Sequence, residues 1–310
     1  MTQIRESRHT ASTSHNTYGG DIEVMKTDSR FATKLDSVDD VPEPMRGALV
    51  EKLPSHEPIR LLVHAPDILT NEEESPISAT LLAVTGEGWL VVSESEEGNV
   101  SVEDCNFDDT LFLELTSLIL WGELKIHFAA VGTSYYAGMR FSTVTEGLYR
   151  EAIDLLLDRI DQARKQAAPT DDDDTTAIFA NWPIEFRTAA LRYRPKLQRV
   201  LAATRWPSIV DGLGRTLCPA GALLMTEREL VLIAQEKTSH RLHGAGVGNI
   251  IYFPLARLWD FHVSQQQRLG VLALEAHAKR GGERLDILFP ADYAKTLSKA
   301  MGTAFATTEF

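Results

Sequence analysis

Displaced by 141 positions, this 310-residue chain aligns with itself. Pro42, Pro54 and Pro66 fall on Pro183, Pro195 and Pro207, and Arg46, Ala48 and Ile68 fall on Arg187, Ala189 and Ile209. On the same diagonal Leu82–Thr85 meets Leu223–Thr226, and Trp89-Leu-Val-Val92 meets Leu230-Val-Leu-Ile233. Chain breakers and apolar runs agree together without a gap from Pro42 to Val92, and a displacement of 141 is far longer than the period of a solenoid. The chain is therefore read as two copies of one domain.

The divisions follow composition. Residues 1–40 are rich in Ser, Thr, His, Asn and Asp without an apolar period, and are read as a flexible arm. Residues 41–166 form the first domain and 182–310 the second. Between them, 167–181 is an acidic linker holding Pro169 and Asp171 to Asp174, where like charges keep the chain extended. Each half is long enough to bury its own core, so separated halves are expected to fold alone and to melt as two cooperative units.

Each copy opens with a short helix: Met45, Ala48 and Leu49 in the first, Phe186, Ala189, Ala190 and Tyr193 in the second. Strands follow. Ala79–Thr85 and Trp89–Ser93 flank a Gly-Glu-Gly turn, matched by Ala222–Thr226 and Leu230–Ala234. Further strands are expected over Thr110–Leu120, Glu123–Ala130 and Tyr136–Ser142. In the second copy the further strands are expected over Asn249–Phe253, Leu258–Val263, Val271–His277 and Arg284–Phe289. The segment 196–203 suits strand or helix. A closing helix carries Tyr149, Ile153, Leu156, Leu157 and Ile160 on one face, and a second spans Ala291–Met301. The fold class is α+β and mainly β, with the C-terminal helix of each copy covering sheet that would otherwise be wet.

The net charge of −13 hides an asymmetry: 41–166 carries −13 and 182–310 carries +6. Opposed fields on two similar bodies suit either docking between halves or two different partners. Two cysteines, Cys105 and Cys218, do not correspond across the repeat and read as buried thiols of a reducing, cytoplasmic protein. The N-terminal residues lack the apolar core of a secretory signal.

The strings Leu223-Leu-Met-Thr-Glu-Arg-Glu-Leu-Val-Leu-Ile233, Ile251-Tyr-Phe-Pro-Leu-Ala-Arg-Leu-Trp259 and Gly282-Glu-Arg-Leu-Asp-Ile-Leu-Phe289 resemble bacterial pleckstrin-homology-like (PH-like) domains. The likeness covers most of 196–303 and, through the repeat, extends to 57–165, where Thr85-Gly-Glu-Gly88 departs from the pattern. The resemblance implies two partly open β-barrels, each capped by a C-terminal helix and used as a binding module. It implies no chemistry.

Chemical motifs are few. Gly244-Ala-Gly-Val-Gly248 precedes a strand-like run, whereas a phosphate loop needs a helix there. His240 and His243 have no third metal ligand in view. His127, in an apolar strand, reads as a satisfied half-buried histidine. No catalytic residue, metal or cofactor is expected, and the chain is read as no enzyme. The candidate site is electrostatic. Arg187, Arg192, Arg194, Lys196, Arg199 and Arg205 lie between Trp182 and Trp206, where the acidic copy has mostly other residues. Arginine forks bind carboxylate or phosphate, and tryptophans anchor interfaces.

The expected function is a non-catalytic adaptor or scaffold whose partner is another protein or a second copy, acidic half to basic half. One alternative is a peripheral binder of anionic membrane lipid through the basic patch. Another is a ligand sensor or enzyme with a pocket between the halves. Nucleic acid and small molecules are not expected as partners, since +6 is little charge for phosphate binding.

Overall fold

A computed structural model describes residues 31–53, 57–67, 78–95, 97–118, 120–161, 177–194, 198–235 and 248–308. The Asp171 to Asp174 run, Lys196, His240 and His243 lie outside the described residues.

After a short strand β1 (Thr33–Lys34) and helix α1 (Met45–Lys52), four antiparallel strands follow as a meander: β2 (Leu61–Ala65), β3 (Thr80–Val84), β4 (Gly88–Glu94) and β5 (Val100–Asn106). A 3-10 turn at Phe107–Asp109 leads into a second meander of β6 (Thr110–Ser117), β7 (Trp121–Ala130) and β8 (Thr133–Ser142), closed by helix α2 (Glu146–Ile160). Helix α3 (Ile184–Tyr193) then precedes β9 (Val200–Trp206). A small hairpin, β10 (Ile209–Val210) with β11 (Thr216–Cys218), leads to β12 (Gly221–Thr226), β13 (Glu229–Ala234) and β14 (Asn249–Pro254). Another 3-10 turn, Leu255–Arg257, opens β15 (Leu258–Gln266), β16 (Leu269–Ala278) and β17 (Gly281–Pro290), and helix α4 (Ala294–Thr308) follows. The architecture is α+β and mainly β, with four antiparallel sheets and no sheet closed on itself among the described residues.

The element order recurs. Up to β4 and β13 the displacement is 141; from the two 3-10 turns onward it is 148, so that Thr110 answers to Leu258 and Glu146 to Ala294. Even the irregularities correspond. Strand β6 has a bulge between Thr110 and Phe112, and β15 has one between Leu258 and Asp260. The hairpin of β3 and β4 is held by Thr85 Oγ1, which donates to the Gly88 carbonyl and accepts from its N–H. Thr226 does the same with Glu229 in the hairpin of β12 and β13, so the second copy needs no glycine there.

The copies are joined by a shared wall. Strand β14 pairs antiparallel with β6, Ile250 opposite Leu115, giving one seven-stranded sheet in the order β8-β7-β6-β14-β13-β12-β9. Alternation along a strand then feeds two cores. Ala222, Leu224, Val231, Ile233, Ile250 and Tyr252 face a cluster that also holds Leu113, Leu124, Leu156 and Phe186. Leu223, Met225, Leu230, Leu232 and Phe253 face the second cluster with Leu272, Phe289 and Leu297. Burial on both faces explains why β12 and β13 read as unbroken apolar runs. Helix α1 covers the outer face of β3 and β4 through Met45 and Leu49, as α3 covers β12 and β13.

Candidate functional site

The basic cluster does not form one free face. Helix α3 turns Phe186, Ala189, Ala190 and Tyr193 inward. Arg192 leaves its edge to meet Glu146 at 2.8 Å, and Arg199, just before β9, meets Glu227 at 3.4 Å. Trp182 is half-buried against Phe179, ring centroids 4.9 Å apart. Arg187, Arg194 and Arg205 are half-buried. Trp206, expected to anchor an interface, is instead only 3% exposed, in the second core. Its indole lies flat on Gly221, its cross-strand partner, where an added Cβ would stand 2.6 Å from Cζ2. Burying the indole against β12 is what removes it from the surface.

Charge concentrates instead along the seam between the copies, where acidic groups of the first meet basic groups of the second. Glu146 begins α2 and is almost fully buried. It accepts from Ser117 Oγ at 2.7 Å, Arg192 Nε at 3.1 Å and Tyr193 OH at 3.4 Å. At the far end of α2, Arg228 donates through Nε to Asp161 at 2.8 Å and through Nη1 to Asp158 at 3.2 Å. Glu229 beside it is fully buried, and burial pushes its carboxyl up to about 7 against the pull of Arg228. Asp109 receives the Arg280 N–H at 2.9 Å and its guanidinium at 3.2 Å. Arg257 forks onto the carbonyls of Thr110 and Phe107 at 2.8 and 2.7 Å, and its own pKa is lowered by that burial.

Asp109, Asp161, Arg257 and Arg280 border a cavity of about 660 Å³ formed by both 3-10 turns, the end of α2 and the β16–β17 turn. Asp108, Asp109, Asp161, Arg257, Lys279 and Arg280 line it. Carboxylates and guanidiniums face one another there, so the cavity is polar but closely balanced, a charged joint between the copies. Among the described residues no group of His, Cys, Asp and Glu could hold a metal ion. Burial raises the thiols of Cys105 to about 12 and Cys218 to about 11, which removes both as nucleophiles near neutrality.

His127 is a second joint. Its Nε2 lies 3.3 Å from Glu114 and its Nδ1 3.3 Å from Glu283, one carboxylate from each copy, and its ring stacks on Phe112 at 4.1 Å. Burial disfavours its charge, but the two carboxylates outweigh burial and raise the pKa. Glu114 is lowered in turn, first by His127. A histidine raised on folding stabilises the protein below the ordinary value of 6.5, and that contribution is lost as pH rises through the folded value. Glu283→Gln is therefore expected to lower the His127 pKa, read by NMR titration. It is expected to cost about 1 kcal/mol of stability below neutrality and nothing well above it. A titration unchanged by the substitution would refute this coupling.

Sequence reasoning missed Arg228, Arg257, Arg280 and Glu146, which stand apart from one another in the chain. The one signal was the opposite charge of the two halves. No protein-family model matches this chain, and neither does any curated protein. Among the described residues no helix is long and apolar enough to cross a membrane.

Proposed function

We propose that this chain is a non-catalytic adaptor, two PH-like modules fused through a common sheet and working by protein contacts. The recurring order of four strands, three strands and a helix supports the PH-like reading. The observation that carries the adaptor reading is the aromatic rim of the shared sheet. Tyr135 and Tyr136, 54% and 57% exposed, stand on opposite faces of the outermost strand β8. At the open end of the β7–β8 hairpin Trp121, opposite Ser142, has Arg140 5.8 Å from its ring, while Lys125 lies 5.4 Å from Tyr136. Exposed Tyr and Trp flanked by cations are the side chains that dominate protein interfaces. His127, Arg228 and Arg257 are engaged at the seam between the copies.

The test is capture of the intact protein's partners from its own host, with Tyr135→Ala/Tyr136→Ala run beside it. A protein that co-elutes with the parent and is lost with the variant supports the adaptor reading. Equal recovery with both overturns it. Salt-sensitive binding to anionic vesicles, abolished by Arg192→Ala/Arg199→Ala, would place lipid ahead of protein.

A further inference from the structure

Inside the chain, the first copy offers an edge of its second meander, β6, and the second copy offers an edge of its first meander, β14. These two edges make the joint. By the repeat, β15 is the counterpart of β6, and β5 is the counterpart of β14. Among the described residues β15 pairs only with β16 and β5 only with β4, so each has an outer side with no strand on it. The copy-to-copy joint used once inside the chain is thus available again at both of its ends.

We propose that a second copy of this chain pairs its β15 edge with β5 of the first, antiparallel, in the register that β14 and β6 already use. This rests on the protein-contact reading above and names the partner. That register sets Asn249 opposite Thr116 and Ile250 opposite Leu115 within the chain. Carried over by the repeat, it sets Ser101 opposite Ser264, Val102 opposite Val263 and Glu103 opposite His262.

Three observations favour the pairing. The bulge at the start of β15 matches that of β6, so the two edges share the same local irregularity. The valines that would face each other are both packed inward, Val102 on the cluster under α1 and Val263 on the second core, as Ile250 and Leu115 are packed inward, on one cluster, at the existing joint. On β15, which holds Asp260 and no lysine or arginine, the register places His262, a side chain that can donate, opposite Glu103 of β5. Unlike edges meet, so the contact is heterologous and extends to a ring or an open filament.

The experiment uses the full chain. Its mass, followed by light scattering through a concentration series, is expected to rise beyond the monomer. Mixing Ser101→Cys protein with Ser264→Cys protein under mild oxidation is expected to yield a disulfide-linked pair that neither gives alone. Both sites are exposed, and the Cys105 thiol, raised to about 12, does not compete. Next to Glu103, Ser264→Glu is expected to weaken association and Ser264→Lys to strengthen it, each about threefold to fivefold. A monomer throughout the series overturns the proposal, as does association that gives no trapped pair and ignores both Ser264 substitutions. Either result leaves the adaptor reading to its own capture test.

Discussion

Heated or titrated with denaturant, the whole chain is expected to unfold in a single cooperative transition. Neither 41–166 nor 182–310 made alone is expected to reproduce a part of it. Length and repeat by themselves favour two melts, because each half has residues enough for a core. The shared wall reverses that expectation. In the isolated second copy, β14 loses β6 as its neighbour, and its ladder groups open to water. Ala222, Leu224, Val231, Ile233, Ile250 and Tyr252 would also lose the first-copy side of the cluster they help to fill, including Leu113 and Leu156. At about 1.5–3 kcal/mol for each large apolar side chain, even partial exposure removes on the order of 10 kcal/mol, as much as an ordinary domain's whole stability. Calorimetry decides it. Equal calorimetric and van't Hoff enthalpies for the intact protein, with fragments that show no sharp melt, are the expected result. Two resolved transitions, each matched by a fragment, would mean that the wall contributes little.

Why the repeat was visible and the joint was not has a physical cause. Strands buried on both faces leave continuous apolar runs such as Leu230–Ile233, and prolines mark the breaks between elements, so both survive comparison of the copies. The change of displacement from 141 to 148 falls between β13 and the second 3-10 turn, beyond the stretch that aligned without a gap. Strand β5 escaped notice because Val100-Ser-Val-Glu-Asp-Cys-Asn106 packs only Val100, Val102 and Cys105 inward, as an edge strand does. The segment at 196–203, undecided between helix and strand, enters β9 because β12 offers it a ladder. The arginines between 187 and 205 read as one face because they are close in sequence. Folding spreads them over a helix, a loop and a strand, and gives two of them carboxylates from elsewhere. Arg192 finds Glu146 across the linker, a contact that no local spacing encodes.

Arg228→Ala is expected to be the most damaging single substitution on the seam. Its guanidinium joins the β12–β13 hairpin of the second copy to the last turn of α2 in the first. Nη2 also reaches the carbonyls of Leu157 at 3.5 Å, which accepts from the Asp161 N–H as well, and of Asp158 at 3.4 Å, in the last turn where a helix runs short of intrahelical donors. Asp161 is 1% exposed at its side chain, and Arg228 itself only 17%. Truncation would strand a buried carboxylate without its guanidinium, a change that costs about 3–5 kcal/mol. It would also remove the charge that opposes burial at Glu229. Asp158→Ala touches a half-exposed partner and is expected to cost no more than about 1 kcal/mol. Arg228→Lys is expected to fall near the alanine variant, because a single ammonium cannot span both aspartates and the helix end as the fork does. Arg228→Met/Asp161→Leu removes both charges and is expected to recover much of the loss, so that denaturant midpoints of the single and double variants give a coupling above about 2 kcal/mol. An Arg228→Ala protein within about 1 kcal/mol of the parent would show that the copies are held by the β6–β14 ladder and the apolar wall without help from this clamp.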